Sequence, residues 1–131
     1  MAAIPSEPET TPEDYRQRAL LLADLGRYDE AFADFTSLLK HVPAYGPAHY
    51  EIGKTAVLSG QRLDVGESAL RRYLDYVPKP DEPPLAWAHK RLGDLYQKMQ
   101  RIADARREFE AALKLDDSLE DARKGLAALP P

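Results

Sequence analysis

The 131 residues predict an all-α protein, a stack of three helical hairpins closed by a final helix. Apolar side chains recur at helical spacing through most of the chain, with Tyr15, Ala19, Leu22 and Leu25 as the first such run. The punctuation between runs also repeats: Gly26 to Gly60 is 34 residues, and Pro12 to Pro47 and Pro43 to Pro78 are each 35. Helix starts and stops that recur together are what a two-helix unit stacked on its neighbour requires.

Residues 1–11 are rich in Pro, Glu, Ser and Thr and predict a disordered tail. Thr11 then offers an N-cap, Pro12 suits the first helical position because its missing N–H has no partner there, and Asp14 completes a capping box. The first hairpin covers residues 12–45: Gly26 breaks the first apolar run, Tyr28, Ala31, Phe35, Leu38 and Leu39 form the second, and Pro43 stops it. The second spans 46–80 and the third 86–119, where Leu92-Gly93 stands in the place of Ile52-Gly53 and Tyr96, Ala105, Phe109, Ala112 and Leu113 follow. A capping helix over 119–129 sets Leu119, Ala122, Leu126 and Leu129 on one stripe.

At these residues the chain resembles the tetratricopeptide repeat family, across residues 12–129. The resemblance implies a right-handed α-solenoid in which small residues, Gly53, Gly93, Ala31 and Ala105, let paired helices approach, while Phe35 and Phe109 fill the space between hairpins. The second unit departs from the pattern. Its inter-helix loop is one residue longer, and Gly66 and Leu70 replace the usual alanine and phenylalanine. A glycine inside a helix costs about 1 kcal/mol relative to alanine, so the helix over 64–77 is expected to be the weakest element. Residues 79–84, KPDEPP, predict a stiff extended excursion between the second and third units.

Composition narrows the function. The net charge is −4 with no cysteine, and from Tyr15 onward acidic and basic residues balance, so bulk electrostatics predict neither nucleic-acid nor anionic-membrane binding. No apolar run approaches the roughly 20 residues that span a bilayer, and a cytoplasmic location is the expectation. Chemistry-bearing residues are sparse. His41 closes a helix, where a cation favours the dipole, and His49 and His89 occupy equivalent places in successive units, filling the interface position with no carboxylate or cysteine at ligand spacing. Asp116-Asp117 or Ser118 are expected to cap the last helix, and Ser59 lies in a turn with no base arranged beside it. No catalytic residues, metal site or cofactor are predicted.

The resemblance implies that a concave surface is lined by the first helix of each repeat. Carried onto this sequence, that groove presents Glu13, Arg16 and Leu20, then Tyr50, Lys54 and Val57, then Trp87, Lys90, Arg91 and Asp94. The basic and aromatic mixture predicts a protein or peptide partner of acidic character, with Trp87 either an interface anchor or packed on its neighbours. The carboxylate clamp with which some relatives grip chaperone tails is not reproduced: Arg16 and Arg91 are kept, but Leu20, Glu51 and Trp87 stand where Asn, Asn and Lys are expected. The alternative is a structural module that self-associates or docks through its ends or convex face.

Overall fold

The computed structural model describes residues 11–131, and the tail expected over 1–11 lies outside them except for Thr11. Among the described residues the chain forms seven α-helices and no strand: α1 (Pro12–Asp24), α2 (Tyr28–His41), α3 (Gly46–Ser59), α4 (Leu63–Leu74), α5 (Leu85–Lys98), α6 (Ile102–Leu115) and α7 (Glu120–Ala128). The start of α1 follows from its cap. The Thr11 hydroxyl accepts from the Asp14 N–H at 3.1 Å and the Asp14 carboxylate accepts from the Thr11 N–H at 3.0 Å, which satisfies two amide groups that a helix start leaves without partners. Gly26 and Gly60 end α1 and α3 in the left-handed region, with φ of 78° and 71°.

Successive helices pair antiparallel as α1–α2, α3–α4 and α5–α6, with α7 against α6 and α5. The odd-numbered helices also pack on one another, α1 on α3 and α3 on α5, whereas the backbones of α2 and α4, and of α4 and α6, stay apart and only side chains bridge them. Inner helices in contact and outer helices held apart bend the stack, so α1, α3 and α5 form its inner wall.

The core is built by small residues receiving large ones. A side-chain carbon at Gly53 would lie 2.2 Å from the Leu70 side chain, and one at Gly93 would lie 2.6 Å from the Phe109 ring. The ring is also pressed on by Gly125 of α7, where an added carbon would stand 2.5 Å away. The first hairpin is further tied by Arg18, whose Nε and Nη2 donate to the buried Asp34 carboxylate at 2.7 and 2.8 Å.

Three details differ from what the sequence predicts. The second helix of the middle unit ends at Leu74 and does not run to 77, because Tyr73 and Tyr76 turn their hydroxyls to the following loop: Tyr73 donates to the Pro83 carbonyl and Tyr76 to the Glu82 carboxylate, both at 2.7 Å. That loop is not an extended excursion. The Glu82 N–H bonds the Lys79 carbonyl and the Lys79 N–H donates to the Glu82 carboxylate at 2.8 Å, folding the chain back in a turn. Finally, neither Asp117 nor Ser118 caps α7. Its N-cap is Leu119 with no side-chain bond, and Asp116 accepts instead from the Ser118 N–H and hydroxyl.

Candidate functional site

The inner wall gathers side chains from three helices that lie far apart in sequence. On α1, Arg16 is half-buried and its guanidinium pairs with Glu13 at 3.1 Å, while its Nε is buried with no partner among the described residues. Leu20, one turn on, is half-buried against the core that contains Ala19, Phe35 and Ile52. On α3, Lys54 is half-buried and touches no hydrogen-bond or ion-pair partner among the described residues. On α5, Lys90 and Asp94 satisfy each other at 2.6 Å across one helical turn.

Two expected groove residues lie in the core. Tyr50 is 5% exposed and its ring stands 5.4 Å from that of Tyr73, so only its hydroxyl reaches the wall, where it accepts from Arg91 Nε at 3.1 Å. Val57 is buried, and the next residue, Leu58, is exposed on α3 one turn beyond Lys54. The four-residue spacing from Lys54 to Leu58 is the signal that would have found it. Trp87 is partly buried against the core, and the Arg91 guanidinium carbon lies 5.8 Å from its ring and 6.0 Å from that of Tyr50. Arg91 is thereby held between two aromatic rings.

Glu51 is the electrostatic centre of this wall. It is 8% exposed, and burial drives its carboxyl above the usual carboxylate range against the opposing pull of Lys54, Arg16 and Arg91. The two arginines kept from the clamp pattern thus face an acidic side chain of the protein itself. Because the folded value lies above the unfolded one, the folded state holds its proton longer, and stability falls as pH rises through that interval. Glu51→Gln is therefore expected to raise the melting temperature at neutral pH, with the gain shrinking towards zero as pH drops below the ordinary carboxylate range. Thermal unfolding followed by circular dichroism across pH checks the sign.

A second polar constellation fills the seam between α4 and α6. The Tyr96 hydroxyl donates to Glu67 Oε2 at 2.5 Å and accepts from Arg71 Nη2 at 2.6 Å. Arg71 also contacts Glu108 at 3.3 Å, Glu108 meets His89 Nδ1 at 2.8 Å, and Arg101 reaches Glu67 at 3.4 Å. The histidine expected to fill an interface position alone has a carboxylate partner, supplied by the other helix of its own hairpin.

The family model described as Tetratricopeptide repeat matches residues 86–128, the third hairpin and α7. The described helices form an α-solenoid of helical hairpins, and its third hairpin with α7 is the part similar to that family. Among solved structures, the one titled "MamA RS-1 ArsTM double mutant" superposes with a TM-score of 0.77 at 24% identity, over 91% of this chain. The chain spans 64% of the length of that structure. No curated protein matches the sequence. Tetratricopeptide repeats generally act as protein–protein interaction modules and are typically non-catalytic, and none of the described helices is long and apolar enough to cross a membrane.

Proposed function

We propose that this tetratricopeptide-repeat chain is a non-catalytic scaffold whose inner wall binds an extended or helical peptide of acidic character. The observation that supports it most is the strip formed by Lys54, Leu58, Arg91 and Trp87. Lys54 has no contacting counter-ion among the described residues, Leu58 is exposed apolar surface, and Trp87 is half-exposed beside an arginine already held in place. A cation without a contacting counter-ion beside apolar and aromatic surface suits a carboxylate followed by a large side chain. Arg16 and Lys90 contribute less, since Glu13 and Asp94 already neutralise them.

Affinity for partners recovered from the source cell is the quantity to measure, with helicity checked by circular dichroism. Lys54→Glu together with Lys90→Glu is expected to weaken binding at least about tenfold, and Trp87→Ala by an amount equivalent to about 2 kcal/mol. Unchanged affinity in both helical variants rejects the groove. The competing reading, docking through an end of the stack, draws on Leu21 of α1 and Leu25 just after it, both exposed. Self-association in sedimentation at rising concentration, abolished by Leu25→Glu, would favour it.

A further inference from the structure

The outer helices part at two seams, and the seams differ. Between α4 and α6 the gap is closed by Glu67, Arg71 and Glu108 over His89. Between α2 and α4 the equivalent positions hold other residues. Ala69 precedes Leu70 as Glu108 precedes Phe109, while Phe32 and Thr36 stand around Phe35 as Glu67 and Arg71 stand around Leu70. The first seam therefore has the same histidine, His49, at its floor but lacks the carboxylate that meets it in the second.

What remains is a pocket of about 400 Å³. Its floor and sides are largely apolar, with Leu39, Ile52 and Val65 among the lining residues, and Val65 is 46% exposed. Two cations flank it: Lys40 from α2 and Arg72 from α4, both exposed and neither in an ion pair or hydrogen bond with any described residue. His49 and Pro43 line it together. Asp75, which follows the last residue of α4, lines the adjoining hollow with Arg72 without pairing to it.

We propose that this convex-face pocket between α2 and α4 is a second docking site, which takes a partner peptide presenting a glutamate or aspartate beside a large apolar side chain. The peptide carboxylate sits between Lys40 and Arg72 over His49, in the role Glu108 fills in the neighbouring seam, and the apolar side chain enters against Ile52 and Val65. Charge complementarity selects the partner: two cations and an apolar cleft repel a basic peptide and offer a purely acidic one no reason to lose its water from an apolar surface. The site lies on the face opposite the inner wall, so both can be occupied at once.

The test uses the isotope-labelled full chain and a panel of short synthetic peptides, each with glutamates flanking a Leu or Phe, beside matched peptides carrying Gln for Glu. Acidic peptides are expected to shift the backbone amide resonances of Thr36, Ile52 and Ser68, and the Gln peptides to bind about tenfold more weakly. Lys40→Glu with Arg72→Glu should abolish the shifts. Ser68→Phe, which keeps both cations and fills the pocket, should do the same, and Lys54→Glu with Lys90→Glu should leave them intact. The proposal is overturned by shifts confined to the inner wall, by equal binding of Glu and Gln peptides, or by no response anywhere at millimolar peptide. Binding of phosphatidylserine vesicles through Lys40 and Arg72 in the absence of peptide binding would overturn it too.

Discussion

Phe109→Ala is expected to destabilise the protein by about 3–5 kcal/mol, the range for emptying a large aromatic from a packed interior. Phe109 is fully buried, and its ring occupies the space that Gly93 on α5 and Gly125 on α7 leave open. Glycine backbones on both sides cannot swing a side chain in to fill the void, so relaxation is limited and the upper half of the range applies. The loss also has a direction along the chain. In a stack where each hairpin touches only its neighbours, damage stays near its origin. Amide hydrogen exchange should therefore accelerate most in α5, α6 and α7, with α1 and α2 close to the parent rate. Uniform acceleration over all seven helices would mean that the stack melts as one unit. The reverse substitution at the same junction, Gly125→Ala, is expected to destabilise as well, since the new methyl would strike the ring at 2.5 Å.

Gly66→Ala is expected to destabilise by about 1–3 kcal/mol, although helix propensity alone assigns alanine an advantage of about 1 kcal/mol. The reason is the close approach of α4 to α3. A methyl group at Gly66 would lie 2.5 Å from the Ala56 Cβ and 3.0 Å from Leu95 Cδ1, with the Gly53 Cα at 3.6 Å. Ala56 Cβ is fixed to the α3 backbone, so the helices must separate, and Leu70 then leaves its seat over Gly53. Ala56→Gly in the Gly66→Ala background removes the struck atom and should recover part of the loss. A double-mutant cycle from chemical denaturation would show a coupling of at least about 0.5 kcal/mol. Additive effects would place the cost elsewhere. The middle unit, which the sequence marks as the weakest, is thus the one where glycine buys the tightest helix contact: Leu70 and Tyr73 are fully buried there.

Other elements show where reading the chain succeeded and where it fell short. The cap of α1 was legible because Thr11, Pro12 and Asp14 act on one another within four residues. The turn at Lys79–Glu82 was not, because prolines fix local angles while the direction of the loop is set by Tyr73 and Tyr76 on the preceding helix. For the inner wall, the helices and the faces were legible but the charges were not. Lys90 and Asp94 are one helical turn apart and their pairing could be expected; Arg91 on the Tyr50 hydroxyl, 41 residues away, could not. Val57 and Leu58 exchange places with respect to the groove because an angular error of one residue in a helix is about 100°.

The amino-acid sequence by itself determined the hairpins and their order, since helix periodicity, capping and glycine or proline breaks act over a few residues and recur at 34 to 35. It also determined the seams, by setting small residues opposite large ones. Only the tertiary structure decided which cations remain available. Arg16 is engaged by Glu13, Lys90 by Asp94 and Arg71 by Glu108, while Lys40 and Arg72 lack a contacting counter-ion among the described residues, and Lys54 lacks one too although it faces the buried Glu51 as Arg16 and Arg91 do. Charge compensation depends on distances between helices that meet only once the stack has formed, and two histidines at the same repeat position therefore have different surroundings, one against a carboxylate and one beneath an open pocket.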